Sequence, residues 1–292
     1  MAFVSGFEHC VRQQESLAPF TWFRLGGPAE YFAEPTTRDE LQTLVQRAKA
    51  EGLPLRVLGG GSNVLVGEAG VKGVVLHLGA PCFGQIEVRG TSIVAGGGAK
   101  LGHVVSTSAR EGLAGLETLV GIPGTVGGAL RGNAGSRSGD IGQWTAAATV
   151  MTAAGEILTR KREELVFAYR ESSLDELLIL DAEFALERDD PVELTKRMQK
   201  QWIVKKSSLP LGHQPTGCIF KNPRGMSAGA LVEQAGLKNA RVGGAEVCDR
   251  HANFIVTDDK ATSRDVVQLV EHIRAQVKER LGVDLEMELQ IW

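Results

Sequence analysis

The 292 residues predict an α+β chain in three parts, with boundaries at 1–80, 81–205 and 206–292. Three observations carry this. Short apolar runs ending in glycine alternate with amphipathic stretches. Asp190-Pro191 breaks the chain where Asp can cap a helix and Pro suits its first turn. The closing stretch VDLEMELQI alternates apolar and polar residues, the period of a strand with one buried face.

In the first part, Arg24 precedes the turn signal Gly26-Gly27-Pro28. Thr37-Arg38-Asp39-Glu40 is a capping box. Leu41, Leu44, Val45 and Ala48 then recur at helical spacing, and Gly52 ends the helix. Leu55–Leu58, Val64–Val66 and Val74–Leu78 are expected strands.

In the second part, Ile86–Val88 and Ile93–Ala95 flank an Arg-Gly-Thr turn, and Leu101–Arg110 is expected to be helical. Thr145–Thr152 turns at Ala154-Gly155 into Glu156–Thr159, and Glu176–Leu186 is a further strand. Val192–Val204 carries helical periodicity, then Lys205–Ser208 leads through Pro210 and Pro215 as a linker. In the third part, Ser227 caps Ala228–Ala235 and Asn253–Thr257 is a strand. Thr262 to Asp265 caps a long helix with Val266, Val270, Ile273, Val277 and Leu281 on one face.

Glycine is clustered three times behind an apolar run: Gly59-Gly60-Gly61-Ser62-Asn63, Gly96-Gly97-Gly98, and Gly121-Ile122-Pro123-Gly124-Thr125-Val126-Gly127-Gly128, continuing to Asn133 and Gly135. Glycine lets backbone approach a ligand closely, and successive N–H groups form an anion-binding concavity. Three such junctions suggest one large ligand held mostly by backbone, with Arg131 able to add charge. The alternative is a set of tight connections. Neither G-x-G-x-x-G opening a helix nor G-x-x-x-x-G-K-[ST] occurs, which excludes the Rossmann and P-loop readings.

A net charge of −3 and few aromatics argue against nucleic acid and membrane surfaces. There is no secretory signal pattern and no apolar run long enough to span a bilayer. Cys10, Cys82, Cys218 and Cys248 are far apart, which reads as free thiols in a reducing cytoplasm. No histidine or cysteine spacing has metal-ligand form, so no metal is expected.

Tyr169-Arg170-Glu171-Ser172 sits in a loop setting, where an arginine can hold a carboxylate bidentately or pair with Glu171 or Glu164. Cys218, three residues before Lys221, is a thiol that can give up a proton or act as a nucleophile, unless it is buried and inert. His251-Ala252-Asn253 is polar site lining or a turn. Asp284, Glu286 and Glu288 share one face, and at most one of them can be buried for a task.

Taken together, FRLGGPAEY, LGGGSNVLV, GIPGTVGGAL with NAG, YRES, GCIFKNP, AGALVEQAGLK, HANFIV and GVDLEMEL resemble the UDP-N-acetylenolpyruvoylglucosamine reductase (MurB) family, in order and over nearly the whole chain. The resemblance implies a two-part FAD-binding region of p-cresol methylhydroxylase type plus a C-terminal substrate-binding domain. It implies that NADPH reduces FAD, and that flavin N5 then gives hydride to the enolpyruvyl group of UDP-N-acetylglucosamine enolpyruvate, forming UDP-N-acetylmuramate for peptidoglycan synthesis. By the same resemblance Arg170 meets the substrate carboxylate, Glu288 shares that work, and Cys218 donates the proton, where serine is the commoner residue. Tyr169, Lys221 and Asn222 would touch substrate. Gly59, Gly60, Gly61, Ser62, Asn63, Gly121, Ile122, Pro123, Gly124, Thr125, Gly127, Gly128 and Asn133 would hold FAD. The short interval from Ser172 to Gly217 resembles the subgroup without the loop that carries a clamping tyrosine. A cytoplasmic monomer is expected, with the strand end near Trp292 frayed. The alternatives are a flavin oxidoreductase of the same fold acting on another sugar or lactone, and a non-catalytic nucleotide-binding module.

Overall fold

The computed structural model describes residues 3–136, 138–208 (of Ser208 the backbone only) and 216–292. By contacts the chain falls into two compact units. One holds the residues up to Glu15, Glu30–Gly60 and Lys72–Lys206; the other holds Ser16–Ala29, Gly61–Val71 and the residues from Ser207 on. The sequence boundaries grouped 16–29 and 61–71 with residues 1–80. Here these two segments pack with the C-terminal part, because Phe23 and Leu65 are buried in its core.

The first unit contains two hydrophobic cores. One gathers Phe3, Phe7, Leu41, Leu44, Val45 and Ala48 with Val74, Leu76 and Phe83. It lies by the sheet ordered Val11–Ser16, Pro28–Ala33, Val71–His77, Leu55–Leu58. Helix Arg38–Ala50 buries the four predicted apolar positions. Thr37 Oγ1 accepts from Glu40 N at 3.2 Å, but Glu40 reaches back to Thr36 N at 2.5 Å, one residue earlier than a capping box requires. The other core fills the space around Ile157–Lys161, Thr145–Met151, Leu178–Ala185, Ser92–Gly96 and Ile86–Arg89, hydrogen-bonded in that order. Helix Leu101–Arg110 covers it.

Asp190 Oδ1 caps the next helix through Val192 N and Glu193 N, at 2.7 and 3.1 Å. That helix runs over Pro191–Ser208, so Lys205–Ser208, expected as linker, are its last turn. Lys205 Nζ donates to Val120 O at 2.6 Å, which gives this turn a tertiary anchor. The rest of the expected linker, with Pro210 and Pro215, lies outside the described residues. No helix among those described is long and apolar enough to cross a membrane.

In the second unit, helices Ala228–Gln234 and Ser263–Leu281 pack over the three short strands Arg241–Val242, Ala245–Val247 and Ile255–Thr257. Val266, Leu269, Val270, Ile273 and Val277 are buried, each contributing about 1.5–3 kcal/mol. The capping box is complete: Thr262 Oγ1 accepts from Asp265 N at 3.2 Å, and Asp265 Oδ2 accepts from Thr262 N at 2.9 Å. Hydrogen bonds from Thr262 N–H and Gly244 N–H hold the Asp265 carboxyl below its ordinary pKa. A depressed folded-state pKa contributes stability above the unfolded pKa, and that stability is lost as pH falls through the folded value. The melting-temperature gap between wild type and Asp265→Asn is therefore expected to narrow below about pH 4. A gap constant from pH 7 downward in scanning calorimetry would remove this assignment.

The predicted closing strand is only partly regular. Gln290–Ile291 pairs in parallel with Val64–Leu65, and Met287 forms an isolated bridge with Phe220. Between them Glu288 N and Leu289 N both donate to Ile219 O, at 2.8 and 3.2 Å, and two donors on one carbonyl interrupt the ladder. The alternation survives as burial of Leu285 and Leu289. The expected fraying is absent: Trp292 N donates to Leu65 O, and Gly67 N donates to Trp292 O, each at 2.9 Å.

Candidate active site

The first unit brings two of the three glycine clusters together. A Cβ on Gly60 would lie 2.7 Å from Gly124 Cα, and one on Gly59 would lie 2.9 Å from Thr125 Oγ1. Backbone therefore faces backbone, and only glycine fits there. The N–H groups of Gly60, Gly121, Gly124 and Thr125 bond to no other described residue. Donors gathered on a surface without side chains suit an anionic group such as a diphosphate. Thr125 caps helix Val126–Arg131, so Gly127 and Gly128 are helical rather than looped. Gly127 N is spent on Gly97 O, at 2.8 Å.

The third cluster does a different job. A Cβ on Gly97 would lie 1.9 Å from Ile179 O, and Gly97 N donates to Leu180 O at 2.7 Å. Gly96–Gly98 thus close the sheet and do not extend the donor surface. Arg131 is likewise turned away from that task. Its guanidinium donates to the carbonyl of Glu176, and burial pulls its pKa down.

Arg170 lies in the same unit, at the tip of a hairpin with only two pairs, Phe167↔Ser172 and Ala168↔Glu171. Its φ is +60°, a conformation that turns usually give to glycine or asparagine. Holding a non-glycine residue there costs roughly 1–3 kcal/mol, and such outliers gather at functional sites. Arg170 Nη1 donates to Gly135 O at 3.3 Å, and the guanidinium carbon lies 5.2 Å from the centre of the exposed Tyr169 ring. Glu164, an expected ion-pair partner, bonds Arg160 and Lys161 N instead. Asn133 is buried, with Nδ2 on Ala168 O at 2.8 Å and Oδ1 on Gly142 N at 3.1 Å.

The second unit brings Cys218 and Glu288 onto adjacent runs of chain. Glu288 N bonds the carbonyl of Ile219, the residue after Cys218. Both side chains are half-buried. Ser62 and Asn63, which belong to this unit, lie against that run. Gly217 N donates to Ser62 O at 2.6 Å, and Asn63 Nδ2 donates to Glu288 O at 2.8 Å. Asn63 Oδ1 is buried without a hydrogen-bond partner, an acceptor suited to a ligand donor. Gly61 N and Ser62 N also bond to no described residue.

The row of acids is resolved by its partners. Asp284 and Glu286 are exposed and pair with Lys278 at 3.0 Å and Lys221 at 2.7 Å. Glu288 is the member drawn out of water. Lys221 is thereby tied to Glu286, and Asn222 Oδ1 accepts from Ala228 N at 2.9 Å, at the start of helix Ala228–Gln234.

Two asparagines gain functions that local sequence did not reveal. The HAN segment is a turn, closed by Phe254 N on His251 O at 3.0 Å, and its Asn253 Oδ1 accepts from Phe220 N at 2.9 Å while Nδ2 donates to Phe220 O at 2.8 Å. Burial lowers the pKa of His251, whose Nδ1 accepts from Asn253 N at 3.3 Å. The available signal was an amide flanked by Ala252 and Phe254 in an otherwise apolar run. His9, Cys10 and Glu40 also cluster. Burial, then Glu40, pushes the Cys10 thiol up to about 12, so it keeps its proton, and Glu40 is committed to Thr36.

Comparison with known proteins matches these units to two families. Residues 29–160 match an FAD binding domain, and residues 209–292 match the C-terminal domain of UDP-N-acetylenolpyruvoylglucosamine reductase. The UDP-N-acetylenolpyruvoylglucosamine reductase 2 of Symbiobacterium thermophilum is 42% identical, over 97% of this chain and 92% of that protein. The reductase of Rhodopirellula baltica is 39% identical, over 97% and 93%. The crystal structure of the Thermus caldophilus reductase superposes with a TM-score of 0.84 at 37% identity, covering 97% of this chain and 99% of that one. A glucose dehydrogenase, Phl p 4.0202, shares only the fold, with a TM-score of 0.51 at 14% identity over 72% of this chain and 51% of its own.

Proposed function

The chain belongs to the UDP-N-acetylenolpyruvoylglucosamine reductase family, and on that premise we propose that it reduces UDP-N-acetylglucosamine enolpyruvate to UDP-N-acetylmuramate with NADPH and FAD. It is an FAD-dependent oxidoreductase with a flavin-binding region of the p-cresol methylhydroxylase type. The placement of Cys218 beside Glu288, in the half of the chain that matches the reductase C-terminal domain, carries the proposal.

Gly59, Gly60, Gly121, Ile122, Pro123, Gly124 and Thr125 would hold FAD through backbone, joined by Gly61, Ser62 and Asn63. Gly127 and Gly128 would serve by shaping the helix start. When bound, the flavin accepts hydride from NADPH and supplies it to the β-carbon of the enolpyruvyl group. Arg170 holds the substrate carboxylate, where a fixed cation stabilises charge as it develops. Cys218 delivers its proton to the α-carbon, and solvent reprotonates the thiolate. Glu288 shares the work of holding the substrate carboxylate. Tyr169, Lys221 and Asn222 border the substrate, and Asn222 also fixes the start of helix Ala228–Gln234. A single chain supplies every role, so a monomer is proposed. The four free thiols support a cytoplasmic setting.

A visible spectrum of the pure protein tests this reading. It is expected to be yellow, to bleach with NADPH under anaerobic conditions, and to regain colour when the enolpyruvyl nucleotide is added. A colourless protein that cannot take up FAD, or a bleached protein indifferent to the nucleotide, would refute it.

A further inference from the structure

We propose that Asn133 and Asn253 are positioning residues, each fixing the backbone that presents one reacting side chain: Asn133 for Arg170, Asn253 for Cys218. The inference rests on the roles just given to Arg170 and Cys218.

Each asparagine is 2% exposed, and each spends both polar ends of its side chain on backbone. Burying an amide is costly unless it is hydrogen-bonded. An apolar residue would fill either place without that cost, but would leave backbone groups unpaired.

Asn133 bonds Ala168 O, which closes the turn Tyr169-Arg170. A hairpin of two pairs is too short to hold a strained tip by itself. Arg170 sits at φ +60°, and Asn133 itself at φ +39°. The neighbouring ties come from the same stretch: Ser172 Oγ donates to Arg131 O at 3.1 Å, and Arg170 Nη1 donates to Gly135 O. Arg131, Asn133 and Gly135 thus each tie the hairpin or its guanidinium. The expected role of Asn133 as an FAD ligand gives way to this one.

Asn253 grips both backbone groups of Phe220, and its own carbonyl accepts from Ile219 N at 3.0 Å. Phe220 lies two residues after Cys218 and bridges Met287, the neighbour of Glu288. Asn253 thereby sets the register between the thiol and the acid.

The test uses the holoenzyme with Asn133→Asp and Asn253→Asp. Aspartate keeps the acceptor, loses the N–H donor, and tolerates the left-handed position. Reoxidation of the reduced flavin by the enolpyruvyl nucleotide is expected to slow by about ten- to a hundredfold, the scale of a small misplacement. Flavin reduction by NADPH is expected to stay at the wild-type rate. The Asn133→Asp loss is expected to shrink in an Arg170→Lys background and persist in Cys218→Ser; Asn253→Asp is expected to do the reverse. Equal slowing of both half-reactions, or additive losses in both backgrounds, would overturn the proposal. If either aspartate variant fails to fold, Asn133→Ser and Asn253→Ser carry the same measurements. A wild-type enzyme that the nucleotide cannot reoxidise would sink the functional reading instead.

Discussion

Replacing Cys218 by alanine is expected to cut turnover of the enolpyruvyl nucleotide by about 10²–10⁴-fold, the usual contribution of a positioned acid. Reduction of bound flavin by NADPH is expected to be unaffected. Cys218 lies in the second unit, on the run that also pairs with Glu288. Serine at this position is expected to retain more activity than alanine, because a hydroxyl can still relay a proton. Stopped-flow measurement of the two half-reactions separates the outcomes. Loss in both would remove Cys218 from proton donation and make it a structural thiol.

Substituting glycine for Arg170 is expected to separate activity from stability. Loss of a fixed donor to developing charge costs about 10²–10³-fold in turnover. Glycine, however, accepts the +60° φ that arginine tolerates at a cost, so the roughly 1–3 kcal/mol of strain there is released. The Nη1 bond to Gly135 O is long, at 3.3 Å, so losing that bond offsets little of the release. The variant is therefore expected to be nearly inactive, with the released strain offsetting stability lost with the side chain. Arg170→Lys should fall between, since an ammonium cannot present a planar fork to a carboxylate. A fall of several degrees in melting temperature with Arg170→Gly would show that this arginine serves the fold.

Elements with local causes were legible in the sequence. Thr37 and Thr262 start helices where the hydroxyl and the following apolar spacing predict, and Leu101–Arg110 follows its predicted bounds. Arg170 and Cys218 stood out by residue type and setting, and the motif resemblance gave them their roles and picked Glu288 from its row. The structure adds that Cys218 and Glu288 share a unit, and that Glu288 alone of its row is half-buried. What stayed hidden depends on distant partners. Gly97 and Gly60 look alike in sequence, yet one is crowded by Ile179 O and the other leaves N–H groups uncovered. The closing strand kept its alternation but lost its ladder to a shared acceptor, Ile219 O. Arg131 looked like a phosphate ligand, but carbonyls across the fold claimed it.

The bond from Asn63 to Glu288 joins positions 225 residues apart. Val64–Leu65 waits equally long for Gln290–Ile291. On a translating ribosome, the early segments of the second unit emerge with their apolar side chains unmatched and stay so for most of synthesis, a period in which chaperone capture and misassociation compete with folding.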